Sequence, residues 1–306
     1  MTNVSDTAAH HDIVAGVDGS DSSLWAVHWA ALEARRHAAP LRLVHVCHPP
    51  PIRHGRVALP RGVAEALADC GKEYLSEAEH LVAEVTPDVV VRSEQREGHP
   101  AEEMIDASDS ARLIVIGSRG VGGFTSLLVG SVALTVAAGA RCPVVVTPAA
   151  KERDRDDYAH TERGPVAVGV GRGPLSDAAL GFGFEAAAVR GVDLMAVHVW
   201  NEATIETGWP DYPMRLSEQD VVDAEHRLLA ERLAGWRERY PDVDVDSRVR
   251  RGKPAKCLLS EARAAQLIVV GTSGKSALAG LSLGSTSQSV LHHAHCPVAM
   301  VRSTVG

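Results

Sequence analysis

Short apolar segments alternate with longer stretches of helical periodicity along the whole chain. In the first half, the apolar segments carry Val, Ile and Leu at consecutive positions, which is typical of parallel strands that are covered on both faces. These segments are residues 13–17, 41–46, 89–92, 113–116 and 144–146. Between them, stretches such as 22–37 place apolar residues at intervals of three or four, the spacing of an amphipathic helix. Strand alternating with helix predicts right-handed β-α-β units in a doubly wound parallel sheet, an α/β fold.

The second half of the chain repeats the first. Its apolar segments are residues 166–170, 194–199, 243–249, 267–270 and 298–301, with a helical stretch at 219–240. Equivalent glycines lie a constant distance apart, since 271 − 117 = 154 and 284 − 130 = 154. The sequence therefore predicts two tandem domains, at 1–150 (the first repeat) and at 165–306 (the second repeat). Residues 151–164 are charged without an apolar period and are interpreted as a linker.

The most specific motif is a glycine pattern, Gly-x2-Gly-x9-Gly-Ser, which occurs in both repeats. It reads GSRGVGGFTSLLVGS at 117–131 and GTSGKSALAGLSLGS at 271–285. In each copy the glycines lie where a predicted strand gives way to a predicted helix. Backbone N–H groups at a helix N-terminus lack an intrahelical partner, and residues without a Cβ let an anion approach the main chain. A surface turn is the alternative interpretation, but the recurrence of the whole pattern favours a phosphate or nucleotide site in each repeat.

Composition limits the classes of partner. The 306 residues carry a formal net charge of −8 and have a pI near 6.0, which disfavours nonspecific binding to nucleic acid or to anionic membranes. The sequence has neither a secretory leader nor an apolar run of membrane-spanning length, so we expect a cytoplasmic protein without membrane insertion. The five cysteines form no Cys-x-x-Cys pair, and no metal site is predicted. The histidines at 292, 293 and 295 are interpreted as surface residues near a helix end.

Three elements converge at the carboxyl ends of the predicted strands of the first repeat. Asp18 follows the first strand, Val46 ends the second, and the glycine motif follows the fourth. This combination, in two tandem copies over nearly the whole chain, resembles the universal stress protein family and specifically its ATP-binding branch. The resemblance implies a Rossmann-like parallel sheet in each repeat and ATP as the cofactor, with or without Mg²⁺. Since the family forms homodimers, it also implies that the two repeats pack as a pseudo-twofold pair through their last strands.

Carried onto this sequence, the resemblance gives residues of the first repeat a role in binding the nucleotide. The adenine is expected to rest against the backbone of Val46, and Asp18 to hold the ribose. The sugar and phosphates are assigned to Gly117, Gly120, Gly130, Ser131 and Val132. A carboxylate accepts hydrogen bonds from hydroxyls, and Ser131 is expected to be the N-cap of the helix that follows, with its hydroxyl turned to a phosphate. For Asp18, an N-cap role at the helix after the first strand is the alternative.

The second repeat keeps most of this set. The residues assigned there are Gly171, Val199, Gly271, Gly274, Gly284, Ser285 and Thr286. Gly171 marks the departure, because GVDGS at 16–20 has become GVGRG at 169–173. Losing a carboxylate that binds the ribose costs about 1.5–3 kcal/mol, or about 10- to 150-fold in affinity. The second site is therefore expected to be weaker than the first.

Two further features flank the motifs. His45 and His198, each inside an apolar strand, are interpreted as hydrogen-bonded core residues. Loops at 48–62 and 200–216 follow the second strand of each repeat and differ completely in composition. They are interpreted either as lids or partner surfaces, or as mobile loops.

The leading functional hypothesis is an ATP-binding regulator of stress response or signalling. It would act through conformational change and an unidentified protein partner, as a homo-oligomer such as a dimer of tandem chains. Phosphoryl transfer needs acids that bind Mg²⁺, and residues 118–129 contain no carboxylate, so no dedicated catalytic residue is predicted. The alternative is a slow ATPase or autokinase, with Arg119 stabilising the phosphate charge and Thr125 or Ser126 as the acceptor. A nucleotide-independent oligomeric scaffold is the third hypothesis.

Overall fold

The computed structural model describes residues 12–48, 61–120, 129–148, 164–173, 175–201, 218–272 and 283–302. The chain divides into two compact units, Met1–Arg153 and Asp154–Gly306. The division falls within the predicted linker, of which residues 151–163 lie outside the described part. The domain boundaries given above stay predictions. No helix in the described residues is long and apolar enough to cross a membrane.

The described residues of the first repeat form a parallel sheet with helices between the strands. Strands β1 to β5 span Asp12–Gly16, Leu41–Cys47, Val91–Glu97, Ala111–Gly117 and Val144–Thr147. Helices α1 to α4 span Asp21–Arg36, Arg61–Val85, Pro100–Ala107 and Ser131–Gly139. The strand order is β3-β2-β1-β4-β5, and neighbouring strands are parallel.

The second repeat has the same topology. Strands β6 to β10 span Val166–Val170, Leu194–Trp200, Val245–Arg251, Leu267–Thr272 and Val298–Arg302. Helices α5 to α8 span Leu175–Arg190, Glu218–Arg239, Pro254–Glu261 and Ser285–His293. The order β8-β7-β6-β9-β10, again parallel, confirms a doubly wound α/β fold in each repeat.

Apolar runs form the central strands because both faces of the sheet are covered by helices. In β1, Ile13, Val14 and Ala15 are fully buried, and in β6 Val166, Ala167 and Val168 are fully buried as well. Because consecutive positions are buried, these strands consist of consecutive apolar residues, and this pattern predicted them from the sequence.

The edge strands β3 and β8 were misplaced from the sequence. Runs of apolar residues predict these strands at 89–92 and 243–249, whereas in the structure they span Val91–Glu97 and Val245–Arg251. Their sequences, VRSEQRE and VDSRVRR, are charged at several exposed positions. Such charge disfavours pairing of an edge strand with another chain, and it also removes the apolar signal on which the prediction relied.

The loops after the second strands begin and end differently from the prediction. The first was expected at 48–62, but α2 already begins at Arg61. The second was expected at 200–216, but Trp200 is the last residue of β7. Residues 49–60 and 202–217 lie outside the described part of the chain, so the lid hypothesis stays a prediction.

In the strand order of each repeat there is one point where successive strands switch from one side of the first strand to the other. From β1 the chain adds β2 and β3 on one side, and it then returns to add β4 and β5 on the other. The carboxyl edge at this reversal point, between the ends of β1 and β4, is where sheets of this kind have their ligand crevice. The corresponding crevice in the second repeat lies between the ends of β6 and β9.

Candidate functional site

Asp18 lies in the loop between β1 and α1 and fixes the conformation of that loop. Its Oδ1 accepts hydrogen bonds from the N–H of Ser20 at 3.0 Å and from the Ser20 hydroxyl at 2.6 Å, the geometry of an Asx turn. Gly19, between them, has a φ of 80°, a left-handed conformation that glycine adopts without strain.

Ser20, and not Asp18, caps α1. The Ser20 Oγ accepts a hydrogen bond from the N–H of Ser23 at 3.1 Å. The N-cap alternative for Asp18 is therefore wrong, and its carboxylate lies two positions before the cap, at the crevice.

Gly120 brings the second loop of the crevice against Asp18. A Cβ built on Gly120 would overlap Oδ2 of Asp18, so a larger residue here would displace either the carboxylate or the loop after β4. The fold thus joins two predicted site residues that are 120 − 18 = 102 positions apart.

Gly117 has a packing role that sequence reasoning missed. A Cβ there would lie 2.6 Å from the backbone oxygen of Ser22 in α1. The contact is continued by Arg119, whose N–H donates to Ser22 Oγ at 3.3 Å and whose C=O accepts from Ser20 Oγ at 3.4 Å. The motif glycine therefore fastens the end of β4 to the start of α1, and any contact of Gly117 with a nucleotide stays a prediction.

The glycine motif ends at the N-terminus of α4. Gly130 is the N-cap, with φ −76° and ψ 159°, and makes no side-chain capping bond. Its N–H donates to Ser118 O at 2.7 Å, and its C=O accepts the N–H of Leu134 at 3.1 Å. The expectation that Ser131 is the N-cap is wrong: Ser131 is the first residue of the helix and is exposed.

A glycine cap at this helix is informative because nothing in the described residues requires glycine. Its φ is ordinary, and a Cβ would lie 3.5 Å from Ser118 O, an acceptable contact. Serine, asparagine or aspartate would cap the helix better. The cap makes no side-chain hydrogen bond, and by helix geometry the N–H groups of Ser131, Val132 and Ala133 have no intrahelical acceptor. This is the arrangement that suits an anion.

Val46 supplies backbone groups at the other side of the crevice. The N–H of Val17 donates to Val44 O at 2.9 Å, so Val44 points its backbone groups toward β1. Because alternate residues of a strand point the same way, Val46 directs its N–H and C=O to that side too, beyond Gly16 where β1 ends. A purine edge could pair with this N–H and C=O.

The second crevice has the same frame. The N–H of Gly171 donates to Ser176 Oγ at 2.7 Å, and Gly284 is the N-cap of α8 with φ −60° and ψ 151°. Ser285 and Thr286 follow as the first residues of that helix, and Gly271 lies in β9 and Val199 in β7. Gly274 lies outside the described residues, as do Thr125 and Ser126 of the first repeat.

The two strand histidines are core residues, as predicted. Nδ1 of His45 lies 2.8 Å from Val17 O, and Nδ1 of His198 lies 2.8 Å from Val170 O. A carbonyl only accepts, so Nδ1 carries the hydrogen in both rings. Each histidine thereby ties the end of the first strand of its repeat to the second strand, next to the crevice.

A network of polar side chains beside His198 has no counterpart among the described residues of the first repeat, and sequence reasoning missed it. Nε2 of His198 lies 2.8 Å from Oε2 of Glu225, and both side chains are buried. The other carboxylate oxygen of Glu225 accepts a hydrogen bond from Arg172. Aligning the two repeats at an offset of 154 residues could have revealed this network, because Gly71 stands at the position of Glu225. A Cβ on Gly71 would lie 2.6 Å from His45.

Cys142 and Cys296 are buried in the structure. Burial raises the pKa of the thiols of Cys142 and Cys296 to about 12. They stay protonated at neutral pH and are poor nucleophiles.

Known proteins match this architecture along both repeats. The model of the universal stress protein family matches residues 10–148 and 162–302. The chain belongs to the universal stress protein family. It is 40% identical over 299 residues to a universal stress protein of Mycolicibacterium smegmatis, covering 97% of this chain and 98% of that one. Universal stress protein Rv2623 of Mycobacterium tuberculosis is 35% identical over 299 residues, with 96% and 97% covered.

A solved structure matches the fold over both repeats. A universal stress protein from Archaeoglobus fulgidus superposes with a TM-score of 0.69 at 18% identity, over 96% of this chain and 97% of that one. At that identity, the likeness concerns the fold. This universal stress protein therefore consists of two family domains in tandem, as the repeat of the glycine motif predicted.

Proposed function

We propose that this protein binds ATP in the crevice of its first repeat and that the bound nucleotide sets the conformation seen by a protein partner. The adenine lies against the Val46 backbone, the ribose hydroxyls donate to Asp18, and the phosphates lie in front of the N-terminus of α4. Mg²⁺ accompanies the phosphates as a counterion. This is the ligand class that the resemblance to the ATP-binding branch of the family implies.

The observation that carries the proposal is the contact between Asp18 and Gly120 at the reversal point of the sheet. It places a carboxylate, which suits ribose hydroxyls, on the crevice side of the β1 loop. The same loop after β4 leads, past residues 121–128, to the open N-terminus at Gly130, which suits phosphate. The carboxylate of Asp18 suits hydroxyl donors and the N-terminus of α4 suits an anion. Together they match a molecule that carries both hydroxyls and phosphates.

The same geometry gives ATP a route to alter the protein. The loops after β1 and β4 already touch through Ser20, Ser22 and Arg119. A nucleotide bound to Asp18 and to α4 would clamp both loops at once, and the fixed loops would present a different surface to a partner. This coupling is the basis on which we propose regulation through a protein partner.

In the second repeat the proposal predicts a weaker site for ATP. The N-terminus of α8 and the backbone of Val199 are retained, but Gly171 offers no carboxylate to the ribose. The ratio of the two affinities is about 10- to 150-fold.

Extraction of the purified protein tests the ligand class. The protein is denatured with acid, and the supernatant is analysed by mass spectrometry, with the protein stripped of nucleotide and reloaded with ATP as the reference. Adenine nucleotide in the extract, or binding of added ATP to the stripped protein, supports the proposal. A chain that neither carries nor binds adenine nucleotide is instead the scaffold of the third hypothesis.

Phosphate release distinguishes a sensor from a slow ATPase. The loaded protein is incubated with Mg²⁺, and free phosphate is followed over hours beside a sample of ATP alone. A sensor releases phosphate no faster than the control. Release above the control, or a covalently phosphorylated chain, would favour the ATPase or autokinase hypothesis.

A further inference from the structure

The loop after β6 differs from the loop after β1 in charge as well as in shape. Gly171 and Arg172 occupy the positions of Asp18 and Gly19, since 171 − 18 = 153 and 172 − 19 = 153. Gly19 has a φ of 80°, and a Cβ on it would overlap the ring of Tyr74. Arg172 lies outside the left-handed region, so the second loop takes a path of its own.

Arg172 is held in place by a buried carboxylate. Its guanidinium donates to Oε1 of Glu225, whose side chain is 3% exposed, while the arginine side chain itself is 46% exposed. Oε2 of the same carboxylate faces Nε2 of His198 at 2.8 Å. The backbone of the loop is fixed as well, because Arg232 of α6 donates to the C=O of Arg172.

The anchored guanidinium keeps donors for a ligand. Arginine has several N–H donors in a planar fork, and the bond to Glu225 is made by one terminal nitrogen. Because Glu225 already orders the side chain of Arg172, less conformational entropy is lost when an anion binds to the guanidinium.

The negative charge that Asp18 brings to this strand end is missing from the second repeat. In the first repeat the carboxylate of Asp18 stands at the crevice. In the second, Gly171 brings no carboxylate, and the carboxylate of Glu225 is paired with the guanidinium of Arg172. The repulsion that Asp18 exerts on an anion is therefore absent.

The ligand chemistry follows from this exchange. A carboxylate accepts from the free 2′ and 3′ hydroxyls of a ribose, whereas an arginine nearby accommodates a phosphate on one of those oxygens. The same exchange separates the binding of NAD from that of NADP in other doubly wound sheets. We propose that the crevice of the second repeat selects nucleotides that carry a phosphate on the ribose 2′ or 3′ oxygen, with Arg172 as the residue that determines this specificity. The inference rests on the proposed nucleotide site and names its ligand class in the second repeat.

The test compares two ligands of equal phosphate number. Adenosine 3′,5′-bisphosphate carries one phosphate on the 3′ oxygen and one on the 5′ oxygen, whereas ADP carries both at the 5′ end with the 2′ and 3′ hydroxyls free. Adenosine 2′,5′-bisphosphate distinguishes the two ribose positions. Each is titrated calorimetrically into the full-length chain with Gly130→Asp, which silences the first site, and with Gly284→Asp, which silences the second.

The expected result is opposite selectivity in the two repeats. With Gly130→Asp, at least one bisphosphate binds about tenfold or more tightly than ADP, as expected for a hydrogen-bonded ion pair. With Gly284→Asp, ADP binds more tightly than either bisphosphate because Asp18 repels a phosphate on the ribose. Equal binding of ADP and both bisphosphates to the second repeat would overturn the inference.

Substitutions at the loop separate recognition from folding. Arg172→Gln keeps a donor for Glu225 and is expected to remove the preference, and Arg172→Lys to keep part of it. Gly171→Asp leaves Arg172 in place, and the new Cβ would lie 3.2 Å from Ser176 Oγ at a φ outside the left-handed region. This variant is expected to shift the second repeat toward ADP, and it decides the question if Arg172→Gln does not fold.

A purely structural role for Arg172 predicts a different pattern. Arg172→Gln would then lower the melting temperature but leave the ratio of bisphosphate to ADP affinity unchanged, and that result would overturn the inference. Failure of the proposed function looks different again, because the wild-type chain would then bind neither ATP nor ADP at either site.

Discussion

The bare N-cap of α4 permits a substitution that should abolish phosphate binding without unfolding the protein. Gly130→Asp places a carboxylate in front of the N–H groups that are proposed to bind the phosphates. The backbone accepts the change, since φ is −76° and the new Cβ would lie 3.5 Å from Ser118 O. Aspartate is also among the best N-cap residues and interacts favourably with the helix dipole.

The size of the effect follows from the charges. Two unit charges about 4 Å apart repel each other by about 4 kcal/mol at an effective dielectric constant of about 20. If rotation of the side chain halves this repulsion, the loss in affinity still amounts to about 30-fold, and the full value corresponds to about 1,000-fold. The free energy of unfolding is expected to stay equal or to rise by about 0.5 kcal/mol, because glycine is the weaker cap.

Gly130→Asn is the matched control because asparagine has the shape of aspartate without its charge. Calorimetric titration with ATP gives the affinity of each variant, and urea unfolding gives the stability. We expect Gly130→Asn to bind ATP within about fivefold of the wild type. If Gly130→Asp is stable and binds ATP as tightly as the wild type, the phosphates do not lie at this helix and the reasoning is refuted.

Further predictions follow from the remaining contacts. Asp18→Ala should weaken the tighter ATP site by about 10- to 150-fold, and calorimetry that finds the site unchanged would remove the ribose role. Gly117→Ala should lower the free energy of unfolding by about 1–3 kcal/mol, since its Cβ would lie 2.6 Å from a backbone oxygen of α1; urea unfolding equal to the wild type would contradict the packing role. The exposed thiol of Cys70 should react with iodoacetamide at neutral pH while Cys142 stays unmodified in peptide mapping, because burial raises the pKa of Cys142 to about 12. For the same reason stability should fall as the pH rises above about 9, where the unfolded thiol ionises and the folded one does not, and thermal unfolding from pH 8 to 10 measures this. Each repeat expressed alone should form dimers if the two pack as a pseudo-twofold pair; monomeric halves of undiminished stability in ultracentrifugation would contradict this.

The fold could be predicted because strands buried in a parallel sheet consist of consecutive apolar residues, which the sequence shows directly. Val166–Val170 was placed without error, and most other central strands within a residue or two. The edge strands were displaced because their exposed positions carry Arg, Glu and Asp. Sequence periodicity reports burial, so it loses accuracy where a strand is half exposed.

The site was predictable in position but not in detail. Asp18 and Gly120 were both selected, yet only the structure shows that the carboxylate and the glycine touch. Whether Ser131 or Gly130 caps α4 depends on a single residue of helix onset, which sequence alone seldom fixes. The network of Arg172 and Glu225 was missed because it links a loop to a helix 225 − 172 = 53 residues away, and no local motif records such a contact.

A crystal structure of the full-length chain grown with ATP and Mg²⁺ would show whether the first repeat binds the nucleotide as proposed. We expect a nucleotide in the crevice of the first repeat, with the ribose hydroxyls within hydrogen-bond distance of Asp18. The adenine edge should meet the backbone of Val46, and phosphate oxygens should meet the N–H groups of Ser131 and Val132. A nucleotide bound at another surface, or a first crevice that stays without nucleotide at saturating ATP, would contradict it.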